Sequence, residues 1–133
     1  MNSIYDQNKT TVSMIRYHII FCPRFRRKIF TIPNLKSRFT ELASLACRDL
    51  EVEIINISYG DDYVYLHVKC LPEESPAAVV KTIKMATSYI LRNEFEELHR
   101  MPNLWTRNYF ASTEEKIAQD TIQRYVSLQK TRS

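Results

Sequence analysis

The segment from Tyr59 to Cys70 constrains the fold most, because a turn there leads into a strongly alternating strand. Gly60, the only glycine in the sequence, is followed by two aspartates, which predicts a reversal with a positive φ and Asx-type hydrogen bonds. Beyond the turn, successive side chains point to opposite faces of a strand. One face is apolar and is expected to point into the core: Val64, Leu66, Val68 and Cys70. The other face is suited to stacking on bases and contacting phosphates: Tyr63, Tyr65, His67 and Lys69.

Size and composition favour one domain in a reducing compartment. A chain of 133 residues can bury one core between two layers, so we predict a flexible arm over 1–12 and a single domain over 13–133. The net charge of +4 and a pI near 9.0 are compatible with a polyanionic partner. The three cysteines (Cys22, Cys47, Cys70) are odd in number and form no Cys-x-x-Cys pair, which predicts neither disulfides nor zinc. No apolar run approaches the roughly 20 residues of a membrane span, so we expect a cytoplasmic protein without a membrane partner.

Hydrophobic periodicity predicts the element order strand, helix, strand, strand, helix, strand, helix. Asn34 is the expected cap of the first helix, Ser75 before Pro76 marks the second, and Ser112 with Glu115 forms a capping-box pattern for the third. The predicted strands span 13–22, 51–59, 63–70 and 104–111, and the predicted helices span 35–49, 76–98 and 113–130. This order predicts a ferredoxin-like α+β sandwich: an antiparallel four-stranded sheet with helices on one face and an extra C-terminal helix.

Two groups of cations are candidate nucleic-acid contacts. The first surrounds Phe25 and is either a solvated loop or a phosphate-binding loop in which the ring stacks or anchors: Arg24, Arg26, Arg27 and Lys28. The second shares one face of the long helix with Ser88 and is either solvated surface or a phosphate contact: Lys81, Lys84 and Arg92.

Several segments, in order, resemble the single-tyrosine transposases of the insertion sequence 200/605 type, in the His-hydrophobic-His nuclease superfamily. They cover residues 17–30, 104–110 and 125–129, and the resemblance extends over nearly everything from Met14 onward. It implies a homodimer that binds hairpins in single-stranded transposon ends and uses no small-molecule cofactor. It also implies that the hydroxyl of Tyr125 attacks a phosphodiester to give a 5′-phosphotyrosine link, while Mg²⁺ or Mn²⁺ polarises the phosphate. Gln129, one helical turn beyond Tyr125, is then a metal ligand.

The sequence departs from the family's pattern at the metal site. The family strand Asp-His-hydrophobic-His is matched by Asp62-Tyr63-Val64-Tyr65, so tyrosines stand where both metal-binding histidines are expected. A neutral phenol is a weak ligand for a hard divalent cation. His67 lies one strand step past Tyr65, at roughly 7 Å, and is too displaced to replace the pair without a rearranged metal position. Asp61 and Asp62 are further oxygen donors. We therefore expect cleavage to be attenuated or lost.

Three functions remain open from the sequence. The first is a transposase that still cleaves and joins single-stranded DNA. The second is a non-catalytic hairpin-binding protein derived from one, in which Tyr63 and Tyr65 stack on bases or fill the former metal pocket. The third is an RNA-binding ferredoxin-like domain that uses the same aromatic face. Spacing alone also allows Tyr125 to be a core residue beside Ile122, and Trp105 to lie in the core or at a dimer interface.

Overall fold

A four-stranded antiparallel sheet lies at the centre of the structure, a computed structural model that describes residues 14–131. Its strands are β1 (Ile15–Phe21), β2 (Glu53–Tyr59), β3 (Val64–Cys70) and β4 (Phe110–Ser112). Their spatial order is β2-β3-β1-β4, and every neighbouring pair is antiparallel. This is the arrangement of a ferredoxin-like sheet, which confirms the predicted fold class. The predicted arm over 1–12 lies outside the described residues.

Two long helices, α1 (Leu35–Asp49) and α2 (Pro76–Glu94), pack on one face of this sheet. The alternation predicted for β3 is confirmed, since Val64, Leu66, Val68 and Cys70 are all fully buried beneath these helices. The periodic face of α1 is buried as well (Leu35, Phe39, Leu42 and Ala46), and Val79 and Ile83 of α2 complete the core.

The C-terminal helix α3 (Gln119–Ser127) packs on the opposite face of the sheet. Its buried residues Ile122 and Val126 form a second apolar cluster with Ile20 and Cys22 of the β1 region. Tyr63 and Tyr65, on the face that was expected to be open, pack against this cluster, and so does Tyr125 of α3. That face is therefore covered in part by the chain's own last helix. None of the helices in the described part of the chain is long and apolar enough to cross a membrane.

Three predicted boundaries were wrong. The helix predicted to Leu98 ends at Glu94 and is followed by a separate 3₁₀ turn (Glu96–Leu98). The strand predicted over 104–111 is only Phe110–Ser112, because Trp105 turns into the core, where its indole N–H donates to Thr87 Oγ1 at 2.9 Å. The last helix begins at Gln119 rather than 113, because the Ser112 hydroxyl accepts the backbone N–H of Glu114 and closes a turn instead of capping a helix.

Local backbone geometry also differs from expectation at two positions. Gly60 does begin a reversal, with its N–H donating to the Tyr63 carbonyl at 3.0 Å, but its φ is not positive. A Cβ at Gly60 would overlap Cε2 of Tyr63, so the missing side chain makes room for that ring. Asn34 does precede α1, but it has a φ of 72° and its side chain makes no capping hydrogen bond.

Candidate functional site

Tyr125 is half-buried on α3, and its hydroxyl donates a hydrogen bond to Oδ1 of Asn108 at 2.7 Å. Its ring lies 6.0 Å from the ring of Phe110 on β4. Burial raises the pKa of the Tyr125 phenol above its ordinary value. The hydroxyl is therefore protonated at neutral pH and is held by the segment that precedes β4.

Lys84 of α2 forms hydrogen bonds with the same segment, which precedes β4. Its ammonium donates to the carbonyl of Thr106 at 2.7 Å and to the carbonyl of Asn108 at 2.9 Å, and it lies 5.2 Å from the centre of the Phe21 ring. Burial lowers the pKa of Lys84 from 10.5 to about 8. The ammonium of Lys84, which was predicted as a candidate phosphate contact, thus organises the segment that holds the Tyr125 hydroxyl.

Gln129 lies just beyond the end of α3, one turn after Tyr125. Its side-chain amide donates to the backbone carbonyl of Tyr125 at 3.1 Å. The side chain is therefore folded back on its own helix, at the position where the family resemblance implies a metal ligand.

The ring side chains of β3 interact with one another and with β1. The hydroxyl of Tyr65 lies 2.6 Å from Nδ1 of His18, a histidine that is only 4% exposed. The His18 ring stacks on the ring of His67, its cross-strand neighbour, with centroids 4.3 Å apart. Burial raises the pKa of Tyr65, and burial followed by the nearby His18 lowers the pKa of His67. The three rings form one stacked cluster.

The basic loop after β1 is anchored at two points. Nε of Arg26 lies 3.3 Å from Oδ2 of Asp62 in the β2–β3 turn, and the backbone N–H of Arg24 donates to the Leu104 carbonyl at 2.9 Å. Phe25 and Arg26 adopt left-handed φ values of 60° and 53°, which costs about 1 kcal/mol or more for each non-glycine residue. The Arg24 guanidinium lies 5.0 Å from the Phe25 ring centre.

The predicted cations differ in their surroundings. Arg24 is half-buried, and its guanidinium lies over the Phe25 ring. Arg26 and Lys84 have intramolecular partners, and so does Arg92, which donates to the carbonyls of Ser88 and Met101. The remaining side chains with high exposure are Arg27, Lys28 and Lys81.

A cavity of about 730 Å³ brings several of these elements together. It lies between the basic loop, α2, residues 103–108 and the end of α3, and Arg24, Lys84 and Gln129 are among its lining residues. Lys81 and Arg92 lie outside this lining. Sequence reasoning missed Asn108, although the polar run Thr106-Arg107-Asn108 inside a predicted strand was a signal that this segment does more than extend the sheet.

The comparison with known proteins identifies the family. The model of the family "Transposase IS200 like" matches residues 11–129. The chain belongs to the IS200-like transposases. The transposase for insertion sequence element IS200 of Salmonella typhimurium is 26% identical over 101 residues, which is 74% of this chain and 66% of that protein, slightly less than two thirds.

Solved structures show the shared fold. The crystal structure of a putative transposase from Deinococcus radiodurans superposes with a TM-score of 0.82 at 21% identity, covering 92% of this chain and 96% of that one. A REP-associated tyrosine transposase bound to a REP hairpin superposes with a TM-score of 0.60 at 12% identity, covering 84% of this chain and 62% of that one.

In this IS200-like transposase, the residues of the β3 face do not fit a site for Mg²⁺ or Mn²⁺. Such cations prefer carboxylate, carbonyl and water oxygens. Here the hydroxyl of Tyr65 is protonated and bonded to His18, and Asp62 is paired with Arg26. Within residues 14–131, no three His, Cys, Asp or Glu side chains converge on one point.

Proposed function

We propose that this IS200-like transposase binds hairpins in single-stranded DNA, and that its metal-dependent strand cleavage is attenuated or lost. In this proposal Tyr125 and Gln129 occupy the family's nucleophile and ligand positions, and Tyr63 and Tyr65 replace the two metal-binding histidines. The main observation behind this proposal is the 2.6 Å hydrogen bond between the Tyr65 hydroxyl and His18. The Tyr65 oxygen stands at a metal-ligand position of the family, and here it is bonded to another side chain of the protein.

The donor chemistry supports loss of the metal. An imidazole offers a neutral nitrogen lone pair near pH 7, whereas a phenol must lose its proton to become a strong ligand. Burial raises the pKa of Tyr65, so that proton is held more firmly than in water. Tyr63 lies against Gly60, and moving it toward a shared ion would disturb the turn that begins β3.

The surroundings of Tyr125 support the same conclusion. Attack on phosphorus requires the phenol to lose its proton, and the raised pKa of Tyr125 makes this harder. Its hydroxyl donates to an amide oxygen of Asn108, which accepts a hydrogen bond but is too weakly basic to take the proton. The contact with Asn108 positions the Tyr125 hydroxyl but supplies no base, which supports weak or absent cleavage.

Hairpin binding is supported by the fold and by the exposed cations. The REP-associated transposase with a bound hairpin shares this fold, and Arg27, Lys28 and Lys81 offer exposed positive charge in a protein of net charge +4. The aromatic face that would read RNA is partly covered by α3, which argues against the RNA-binding alternative. The proposal includes a homodimer, a single domain over 13–133 and a cytoplasmic location, where the free thiols of Cys22, Cys47 and Cys70 stay reduced.

Binding and cleavage can be tested separately. Binding is measured by fluorescence anisotropy with a pool of labelled oligonucleotides that carry randomised hairpin stems, against an unstructured pool of the same composition. We expect the hairpin pool to bind more tightly. Replacing Arg27 and Lys28 with alanine should weaken binding and lower the salt dependence, by about one unit of slope for each phosphate that is no longer neutralised. The control removes two exposed charges from α1, Lys36→Ala with Arg48→Ala.

Cleavage is measured as a covalent adduct that survives denaturation, in the presence of Mg²⁺ or Mn²⁺. We expect little or no adduct from the natural sequence, and none from Tyr125→Phe. Efficient adduct formation that depends on Tyr125 would contradict the loss of cleavage, and equal affinity for hairpin and unstructured pools would contradict hairpin binding.

A further inference from the structure

The basic loop that follows β1, residues 24–28, is fixed on both sides. The backbone N–H of Arg24 donates to the Leu104 carbonyl at 2.9 Å, and just beyond the loop the backbone N–H of Phe30 donates to the Asp61 carbonyl at 3.1 Å. The chain between these two contacts carries exposed cations that the proposed function assigns to DNA.

The middle of the basic loop has an unfavourable backbone conformation. Phe25 and Arg26 are consecutive non-glycine residues with left-handed φ values of 60° and 53°. Such residues persist where the surrounding contacts outweigh the strain, and they cluster in ligand-binding segments. Here Nε of Arg26 lies 3.3 Å from Oδ2 of Asp62, and only 30% and 16% of the two side chains are exposed. Because a partly buried ion pair is screened less than a surface pair, it can hold this conformation.

The direction of the exposed cations depends on this conformation, because Arg27 and Lys28 follow Arg26 directly in the chain. A loop that is already held in its binding conformation loses less conformational entropy when its ligand binds than a free loop does. The Asp62 carboxylate, by contrast, repels a phosphate. Any favourable effect of Asp62 on DNA binding must therefore act through the loop.

We infer that Asp62 is a positioning residue for DNA binding: its carboxylate holds Arg26, and Arg26 holds the basic loop so that Arg27 and Lys28 face the phosphates of the hairpin. The inference rests on the proposed function, since it takes hairpin DNA as the ligand. It gives Arg26, which was predicted as a candidate nucleic-acid contact, a role within the protein. It also gives Asp62 a role that needs no metal.

The direction of one change in affinity tests the inference. Asp62→Asn removes a negative charge beside a cationic loop, so charge alone predicts tighter DNA binding. Positioning predicts weaker binding. We expect the affinity for the randomised hairpin pool, measured by fluorescence anisotropy, to fall about tenfold, since freeing the backbone of one residue has an effect of that order. Asp62→Glu keeps the carboxylate and should restore most of the affinity.

Asp61→Asn is the matched control, because it removes the same charge one residue earlier. Asp61 is exposed, and none of the ion pairs among the described residues involves it. Asparagine is favoured in turns, so both variants should fold. We expect Asp61→Asn to bind the hairpin pool as tightly as the natural sequence or more tightly.

A double-mutant cycle with Arg26→Gln shows whether Asp62 acts through Arg26. In the Arg26→Gln background, Asp62→Asn should cause no further loss of affinity, because the ion pair is already absent. A further loss of about tenfold would mean that Asp62 contributes to DNA binding by another route, and it would overturn the inference.

Trypsin cleavage of the basic loop gives a readout that needs no DNA. Cleavage requires the loop to open, so Asp62→Asn should be cut there faster than the natural sequence and Asp61→Asn. Unchanged or tighter hairpin binding by Asp62→Asn overturns the inference and leaves hairpin binding intact. If no hairpin binds to the natural sequence, the proposed function fails. In that case faster cleavage of Asp62→Asn still supports the hold of Asp62 on the loop, and equal cleavage of the three proteins overturns it.

Discussion

Removing one oxygen atom, by Tyr65→Phe, tests the hydrogen bond on which the proposed function depends. The Tyr65 hydroxyl lies 2.6 Å from Nδ1 of His18, and His18 is only 4% exposed. Phenylalanine keeps the ring and its packing but leaves that nitrogen without its partner in a place that water barely reaches. A buried polar group that loses its partner costs about 1–3 kcal/mol. We therefore expect Tyr65→Phe to lower the free energy of unfolding by about 2 kcal/mol.

Urea denaturation followed by the fluorescence of the single tryptophan measures this change. Trp105 is 6% exposed among aromatic rings, so its emission reports directly on unfolding. A decrease of about 2 kcal/mol corresponds to a decrease in melting temperature of roughly 6 °C for a domain of this size. The slope of the denaturation curve should stay unchanged, because the surface exposed on unfolding is the same.

The matched control is Tyr63→Phe, which removes the same atom two residues earlier on the same face. Tyr63 is half-buried and packs against the second apolar cluster through its ring, so we expect a change within about 0.5 kcal/mol. Equal decreases in the free energy of unfolding of the two variants, or no decrease for Tyr65→Phe, would refute the claim that the hydrogen bond from Tyr65 to His18 stabilises the fold.

Three further predictions concern the surrounding structure. Gly60→Ala should lower the free energy of unfolding by about 1–3 kcal/mol, because the new Cβ would overlap the Tyr63 ring. In a double-mutant cycle, adding Tyr63→Ala should recover most of this loss, and additive effects of the two substitutions would contradict the prediction. The pKa of Lys84 falls from 10.5 to about 8 on folding, so the unfolded chain binds more protons than the folded chain between these pH values. The free energy of unfolding, relative to that of Lys84→Met, should therefore rise from pH 8 to pH 10.5. A difference between the two proteins that does not change with pH in urea titrations would contradict this. Ser75→Ala should cost about 1 kcal/mol, since the Ser75 hydroxyl caps α2 by accepting the N–H of Ala78; a neutral thermal melt would contradict it.

The parts of the fold that follow from local periodicity could be predicted from the sequence. The alternation of β3, the buried stripe of α1 and the Ser75–Pro76 start of α2 each depend on neighbours a few residues apart, and each is confirmed. Errors arose where a distant contact overrides local preference. Trp105 has high strand propensity, but its indole N–H donates to a buried acceptor on α2, so the strand predicted from residue 104 begins only at Phe110.

The candidate site was less predictable, because its geometry depends on which face each helix covers. Periodicity showed that α3 has an apolar side, but nothing in the sequence indicated that this side would cover the tyrosine face of the sheet. The role of Lys84 was hidden for the same reason. On a helical wheel it belongs to a cationic row, and only the fold brings its ammonium beneath the carbonyls of Thr106 and Asn108.

Metal binding by the restored histidine pair tests the central claim most directly. Mn²⁺ binding is measured by calorimetry for the natural sequence and for the double variant Tyr63→His with Tyr65→His, followed by adduct formation on hairpin DNA. We expect the double variant to bind Mn²⁺ measurably more tightly and to form an adduct that disappears when Tyr125→Phe is added. Mn²⁺ binding of equal strength in both proteins, with equal adduct yield, would contradict the claim that the phenols of Tyr63 and Tyr65 prevent metal binding.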